Sequence, residues 1–247
     1  MKKIRSLLMV ISFAVFGISS LFVGVIVFPI IKLLVKDTDK RLDIFSKTVY
    51  RSWNKFVKLV QFIKLIRLDV ENIENLQSIK NSVIVSTHPS YIDVLIILSL
   101  VPKTTCYVAP RLTQNKFFKK IVESMFLISG KSLEELQDDS RYMFDHGFNI
   151  LIFPSGIRHK KNEQPKIRKG ASLIAINSKK DVVPIIMSTS FDFLQIGQPF
   201  YDAGSEPVIY DIKCGSPIKI DEILKNNDEV NQRKIITEEI KKSLYKL

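Results

Sequence analysis

His88 and Asp93 stand five positions apart in the stretch Thr87-His88-Pro89-Ser90-Tyr91-Ile92-Asp93. A histidine oriented by a carboxylate is the core of a general base that activates a hydroxyl. On a regular helix, residues five apart point about 140° away from each other, so the pair needs a different backbone. The flanking sequence supplies one. Val83-Ile84-Val85-Ser86 is apolar and rich in β-branched residues, the pattern of a buried strand, and Val94-Leu95-Ile96-Ile97-Leu98 reads as the body of a helix. Pro89 pushes the residue before it away from helical dihedrals, so His88 is expected on the turn where the strand ends. Folded back over the helix start, it can offer one nitrogen to Asp93 and the other to the cleft at the strand's carboxyl end. A purely structural His–Asp pair is the competing reading of this stretch.

A second candidate site follows a later strand. Ile150-Leu151-Ile152-Phe153 runs into Pro154-Ser155-Gly156-Ile157-Arg158, and then come His159, Lys160, Lys161, Lys166, Arg168 and Lys169, relieved only by Glu163. Gly156 permits a tight turn and close approach of a ligand to the backbone. Arg158 can present a planar fork to a phosphate. The loop therefore reads as an anion pocket, against the plainer reading of a solvated basic run.

These turns need a scaffold. From Ile79 onward, apparent strands (Val83–Ser86, Thr105–Ala109, Phe126–Ile128, Ile150–Phe153, Val182–Met187 and Val208–Cys214) alternate with helical patterns at Ser90–Val101, Gln114–Glu123, Ser132–His146, Gly170–Asn177 and Glu229–Tyr245. That alternation predicts an α/β domain with a mostly parallel central sheet covered by helices. Ser132 followed by Glu135 is a capping-box signature. The segment from Asp39 to about Arg67 reads as a basic amphipathic helix, suited equally to a lipid interface or to packing on the domain.

The chain begins Met1-Lys2-Lys3-Ile4-Arg5 and then carries no charge from Leu7 to Ile31, longer than the ~20 residues a membrane-crossing helix needs. Residues 1–38 are read as a hydrophobic membrane anchor and 39–247 as the α/β domain. The anchor is either a tilted spanning helix or a helical hairpin, and the basic flanks on both sides incline the reading toward the hairpin. The lysines and arginines after it place the domain on the cytoplasmic face of the inner membrane. Lys and Arg number 37 against 25 Asp and Glu, a formal charge of +12, which suits an anionic membrane surface or phosphorylated substrates. Nucleic acid would explain the charge but not the apolar segment. Cys106 and Cys214 lie far apart and only three histidines occur, so neither a disulfide framework nor a metal site is expected.

Together the motifs resemble the glycerolipid acyltransferases, specifically the lysophosphatidic acid (1-acylglycerol-3-phosphate) acyltransferase superfamily. That family carries N-H-x-S-x-x-D after one strand and F-P-E-G-T-R after a later one. Here the first stands as Thr87 to Asp93 and the second as Phe153 to Arg158. Val108-Ala109-Pro110-Arg111-Leu112 with Asn115-Lys116-Phe117-Phe118, Arg168-Lys169-Gly170-Ala171 and Val182-Val183-Pro184-Ile185 also resemble family segments, so about residues 45–220 follow its order. The resemblance implies His88 as general base, Asp93 as its orienter, and Arg158, Gly156 and Ser155, with Arg111, around the acceptor's phosphate. The implied reaction moves a fatty acyl group from acyl-CoA or acyl-carrier protein to the hydroxyl of a lysophospholipid. The thioester is then a co-substrate, with no further cofactor.

The arginine that usually ends the strand before Ser132 has no counterpart in Phe126-Leu127-Ile128-Ser129-Gly130, and three motif positions depart from the family pattern: Thr87 for Asn, Ile157 for Thr, and Ser155 for Glu. The last removes a carboxylate beside Arg158, which implies a different acceptor head group or a catalytically weak or silent lipid- or acyl-binding homologue. A serine hydrolase using Ser155 is disfavoured, because a nucleophile elbow needs glycine where Phe153 stands.

Overall fold

The computed structural model describes residues 2–114, 116–160 and 165–245; Asn115, Lys161 and Glu163 lie outside the described residues. Among these, the strands are β1 (Ile66–Glu71), β2 (Val83–Ser86), β3 (Thr104–Val108), β4 (Leu127–Ile128), β5 (Asn149–Ile152), β6 (Val182–Thr189) and β7 (Val208–Cys214). They form one sheet in the order β1-β7-β6-β2-β5-β3-β4. Every neighbouring pair is parallel except β6 and β7, so the expected mostly parallel sheet is what forms.

Successive side chains of a strand face opposite sides of the sheet, and here they feed two separate cores. Ile84 and Leu151 enter one, with α5 (Asp93–Leu100) and Val57 and Val60 of α3 (Thr38–Phe62) above them. Val83, Val85 and Ile150 enter the other, under α8 (Leu133–Asp145), α9 (Gly170–Ser178) and α11 (Glu229–Tyr245). Burial on both faces is why β2 reads as an unbroken apolar run and not as an alternation. In the register between β2 and β5, Val85 lies opposite Ile152. Both candidate motifs therefore leave the sheet side by side at the same end.

Residues 2–34 form a single helical run and not a hairpin. α1 (Lys2–Phe22) passes through a π turn, Val23–Val27, into α2 (Phe28–Leu34) with helical dihedrals at both junctions. Pro29 explains the π turn, since its ring crowds the carbonyl four residues back and the widened turn makes room for it. By length and composition this 33-residue run is apolar enough to cross a membrane. Its inner stripe, however, is packed on the domain. Arg5 donates to the carbonyls of Lys64 (2.7 Å) and Glu206 (2.7 Å), Met9 is buried, Phe16 meets Phe56 at 4.9 Å between ring centroids, and Phe28 stacks on Phe45 at 4.1 Å. The outer stripe (Ile4, Leu7, Ile11, Val15, Ile18, Phe22, Ile26, Ile30 and Leu33) is exposed.

Other elements differ from the sequence reading in instructive ways. α3 ends at Phe62, and Lys64 with φ +58 turns the chain into β1, whose alternation Ile66-Arg67-Leu68-Asp69-Val70-Glu71 begins inside the segment read as helix. The apolar face of α3 lies in the cores, which decides for domain packing, while Lys47, Arg51, Lys55 and Lys58 are exposed. Helix α5 starts at Asp93 and not at Ser90. Two short helices, α4 (Ile73–Ser78) and α10 (Ile220–Asn226), carry too few residues for a visible period. The remaining described helices are α6 (Arg111–Gln114) and α7 (Lys116–Met125), and the second covers most of the Gln114–Glu123 region read as a helix. The capping box of Ser132 and Glu135 forms as expected at the start of α8.

At the other end of α8, His146 gives Nδ1 to the carbonyl of Tyr142 (2.6 Å) and Nε2 to Asp39 of α3 (2.9 Å). The carbonyl first and Asp39 after it hold this imidazole above its ordinary value of ~6.5. A raised folded value means the stabilisation is complete below pH ~6.5 and is lost as pH rises through that folded value. The contact is largely solvated, so its worth is a few tenths of a kcal/mol. Thermal melts of wild type and His146→Gln should differ most at pH 5.5 and converge by pH 8.5.

Candidate active site

Pro89 lacks an N–H and helix α5 begins only at Asp93, so residues 88–92 make a turn that brings His88 back over the helix. His88 Nδ1 lies 2.9 Å from Asp93 Oδ2. The same oxygen accepts from the Ser90 backbone N–H (2.7 Å), and Oδ1 accepts from the Ser90 hydroxyl (2.5 Å). Asp93 is fully buried, and these donors satisfy its carboxylate as a buried charge requires. Because that carboxylate can only accept, the network assigns the His88 proton to Nδ1 and leaves Nε2 with a lone pair. Among the described residues Nε2 has no partner. The His88 ring stacks on Phe153 at 4.1 Å between centroids and is 17 % exposed, toward the cavity.

The chain of donors extends one residue further. Ser90 Oγ lies 2.7 Å from the Tyr210 hydroxyl on β7; since the serine donates to Asp93, the tyrosine donates to the serine. Burial first, and the charge of Asp93 after it, push the Tyr210 phenol well above its ordinary value, which keeps that donor protonated. No local sequence signal marks Tyr210, a single hydroxyl in an apolar strand 120 positions from Ser90. Thr87, standing where the family pattern has Asn, donates to the Met187 carbonyl (2.7 Å) and accepts from the Met187 N–H (2.7 Å), locking the turn to β6.

His88, Arg111, Gly156 and Arg158 all line one cavity of about 710 Å³. Its walls are otherwise mainly apolar: Phe13, Phe16 and Val23 from the N-terminal helix, Trp53 and Phe56 from α3, and Ile121 and Phe126 at the far side. The thiol of Cys106, also in the wall, is pushed up to about 12 by burial, so it is no thiolate nucleophile. Arg158 donates Nη1 to the Leu194 carbonyl (2.6 Å) and lies over the Tyr91 ring (5.3 Å), which leaves part of its fork for a ligand. Leu194 itself is held at φ +52, a costly conformation for leucine that this bond helps to hold.

Ser155 does not join the lining. Its side chain is buried, and its hydroxyl donates to the Ile157 carbonyl (2.8 Å), so it braces the loop and does not face a ligand. Gly156 adopts φ +70, and a Cβ there would lie 3.0 Å from the Arg168 guanidinium carbon. Gly156→Ala therefore combines a left-handed backbone penalty of about 1–2 kcal/mol with displacement of Arg168. The expected result is roughly 10-fold weaker binding of a phosphorylated ligand in the cavity, read as a rise in Kd by calorimetry.

The chain is similar to known acyltransferases in sequence and in fold. A family model described as Acyltransferase matches residues 67–188, the segment that contains both motifs. A human 1-acyl-sn-glycerol-3-phosphate acyltransferase beta is 23% identical over 51% of the chain and 48% of its own length. A coconut (Cocos nucifera) 1-acyl-sn-glycerol-3-phosphate acyltransferase is 20% identical over 57% of the chain and 47% of its own length. The chain thus spans about half the length of the curated relatives it matches. The crystal structure of the 1-acyl-sn-glycerophosphate (LPA) acyltransferase PlsC from Thermotoga maritima has the same fold, with a TM-score of 0.72 at 21% identity, covering 100% of this chain and 99% of that one. With both motifs inside the segment that matches the Acyltransferase model, on a shared fold, the chain carries an acyltransferase domain similar to those of the glycerolipid (lysophosphatidic acid) acyltransferases.

Proposed function

We propose that this protein is a membrane-associated O-acyltransferase that acylates a lysophospholipid such as 1-acylglycerol-3-phosphate from acyl-CoA or acyl-carrier protein. The observation that carries this reading is the Nε2 of His88, unpartnered among the described residues, with the ring held by Asp93 through Nδ1 at the wall of a large apolar cavity beside Arg158. The acceptor hydroxyl gives its proton to Nε2 as its oxygen attacks the thioester carbonyl. The C–O bond forms, the C–S bond breaks, and the departing thiolate takes the proton from His88. No acyl-enzyme is needed. Asp93 holds the imidazole in the correct tautomer and offsets its transient positive charge. Arg158, Gly156 and Arg111 face the acceptor's phosphate, and the apolar walls suit an acyl chain.

The exposed outer stripe of the N-terminal helix supports lipid contact. A helix whose inner stripe lies along the domain suits one leaflet better than a full crossing. The basic face of α3 and its neighbours suits an anionic, cytoplasmic-side surface.

One observation favours the silent acyl-binding homologue instead: the buried Ser155 leaves this loop without the carboxylate of the family motif. A lysolipid panel offered with acyl-CoA and with acyl-carrier protein, read by mass spectrometry, separates the two. Acylated product with any acceptor supports the transferase, and binding without product supports the homologue.

A further inference from the structure

His88 lies beyond the sheet, two residues past the last register pair of β2, Ser86 with Ile185, and Pro89 offers no N–H to help hold the turn. Its backbone groups are nevertheless both bonded, and to one residue. The His159 N–H donates to the His88 carbonyl (3.1 Å), and the His88 N–H donates to His159 Nε2 (3.2 Å). A backbone N–H cannot accept, so Nε2 of His159 must carry its lone pair. The Tyr245 hydroxyl of α11, 3.0 Å from the same nitrogen, is then a donor too. His159 is 7 % exposed, and its carbonyl accepts from Gln195 Nε2 (2.9 Å), an amide that also donates to the Pro89 carbonyl.

From this bracket we infer that His159 is a positioning residue for the reaction: it fixes the backbone of His88 so that the imidazole can reach Asp93 and the substrate hydroxyl at once. The inference rests on the reading of His88 as the base. The bond to Asp93 orients the ring about its own torsions but does not set where the Cα sits. His159 sets that, from a loop 71 positions away in sequence, and Tyr245 and Gln195 hold His159 in turn. A base displaced by about 1 Å loses on the order of 10²-fold in rate while substrate binding is little affected.

The test uses two amides that differ by one methylene. In His159→Gln the side-chain oxygen reaches the place of Nε2 and can accept from the His88 N–H; in His159→Asn it falls short. With the purified full-length protein, acyl-CoA and 1-acylglycerol-3-phosphate in detergent micelles, His159→Asn should lose roughly 10- to 100-fold in kcat with both KM values within about 2-fold of wild type. His159→Gln should recover most of that kcat. Equal kcat in the two variants overturns the proposal, as does a loss confined to KM. His88→Ala is run beside them. If it is inactive while His159→Asn turns over at the wild-type rate, the positioning role alone is overturned. If His88→Ala is fully active, the base assignment fails instead. Should His159→Asn fold poorly by circular dichroism, Gln195→Leu, which frees the carbonyls of Pro89 and His159, must show the same kcat-selective loss or the proposal falls.

Discussion

His88→Ala should lower kcat for lysolipid acylation by about 10³-fold while leaving KM for both substrates nearly unchanged, because a positioned general base contributes roughly 10²–10⁴. In the proposed mechanism the side chain touches the reacting hydroxyl only as the proton moves, so its removal takes away an interaction of the transition state and not of the ground state. Folding should survive. His88 is partly exposed, and its backbone bonds to His159 do not depend on the ring. What remains is the rate that proximity alone provides to a hydroxyl and a thioester held in one cavity. A loss under about 10-fold with the protein folded would assign the base elsewhere. Circular dichroism and vesicle sedimentation on the same preparation separate a chemical defect from an unfolded or unbound protein.

Asp93→Asn should be of similar size, on the order of 10³-fold in kcat, and should also cost stability. Donors converge on this carboxylate from the Ser90 N–H, the Ser90 hydroxyl and His88 Nδ1. An amide has a single oxygen, so its NH2 must face a donor whichever way it turns. With the NH2 toward His88, the imidazole moves its proton to Nε2 and loses the lone pair that accepts from substrate, as in the serine-protease triad when its aspartate becomes asparagine. With the NH2 toward Ser90, the serine hydroxyl must reverse and the Tyr210 hydroxyl loses its acceptor. Each mismatched buried donor costs about 1–3 kcal/mol. The expected result is therefore a folded variant with a lower melting temperature and almost no turnover. Activity within about 5-fold of wild type would remove Asp93 from the mechanism.

Much of this arrangement is legible in the amino-acid sequence. His88, Asp93, Gly156 and Arg158 are local motif residues at the ends of two apolar runs, and adjacency of β2 and β5 is all that is needed to join them. Ser155 is misplaced by the motif because a sequence names the residue and not the direction of its hydroxyl, which turns to the Ile157 carbonyl. Tyr210, His159 and Gln195 escape notice as site residues for another reason. Each acts across a long sequence separation through only a few hydrogen-bonding atoms, and nothing in its own neighbourhood announces a partner. Strand β1 shows a different failure: its alternation is present, but it follows a strongly periodic helix with no proline or glycine between them, so the longer pattern masks the shorter.

The N-terminal helix has a practical consequence for anyone who wishes to make this protein easier to handle. Met9 belongs to one core, Phe28 to the other, and Phe13, Phe16 and Val23 are wall of the cavity. Cutting the chain after Asp37 to gain solubility would strip an inner face from the chamber and open both cores to water. A soluble version is better sought by changing the outer stripe, Leu7, Ile11, Ile18 and Phe22 among it, to polar residues one row at a time. Such a variant would keep its chamber closed, so that ligand binding in the chamber could be measured apart from any contact of the helix with lipid.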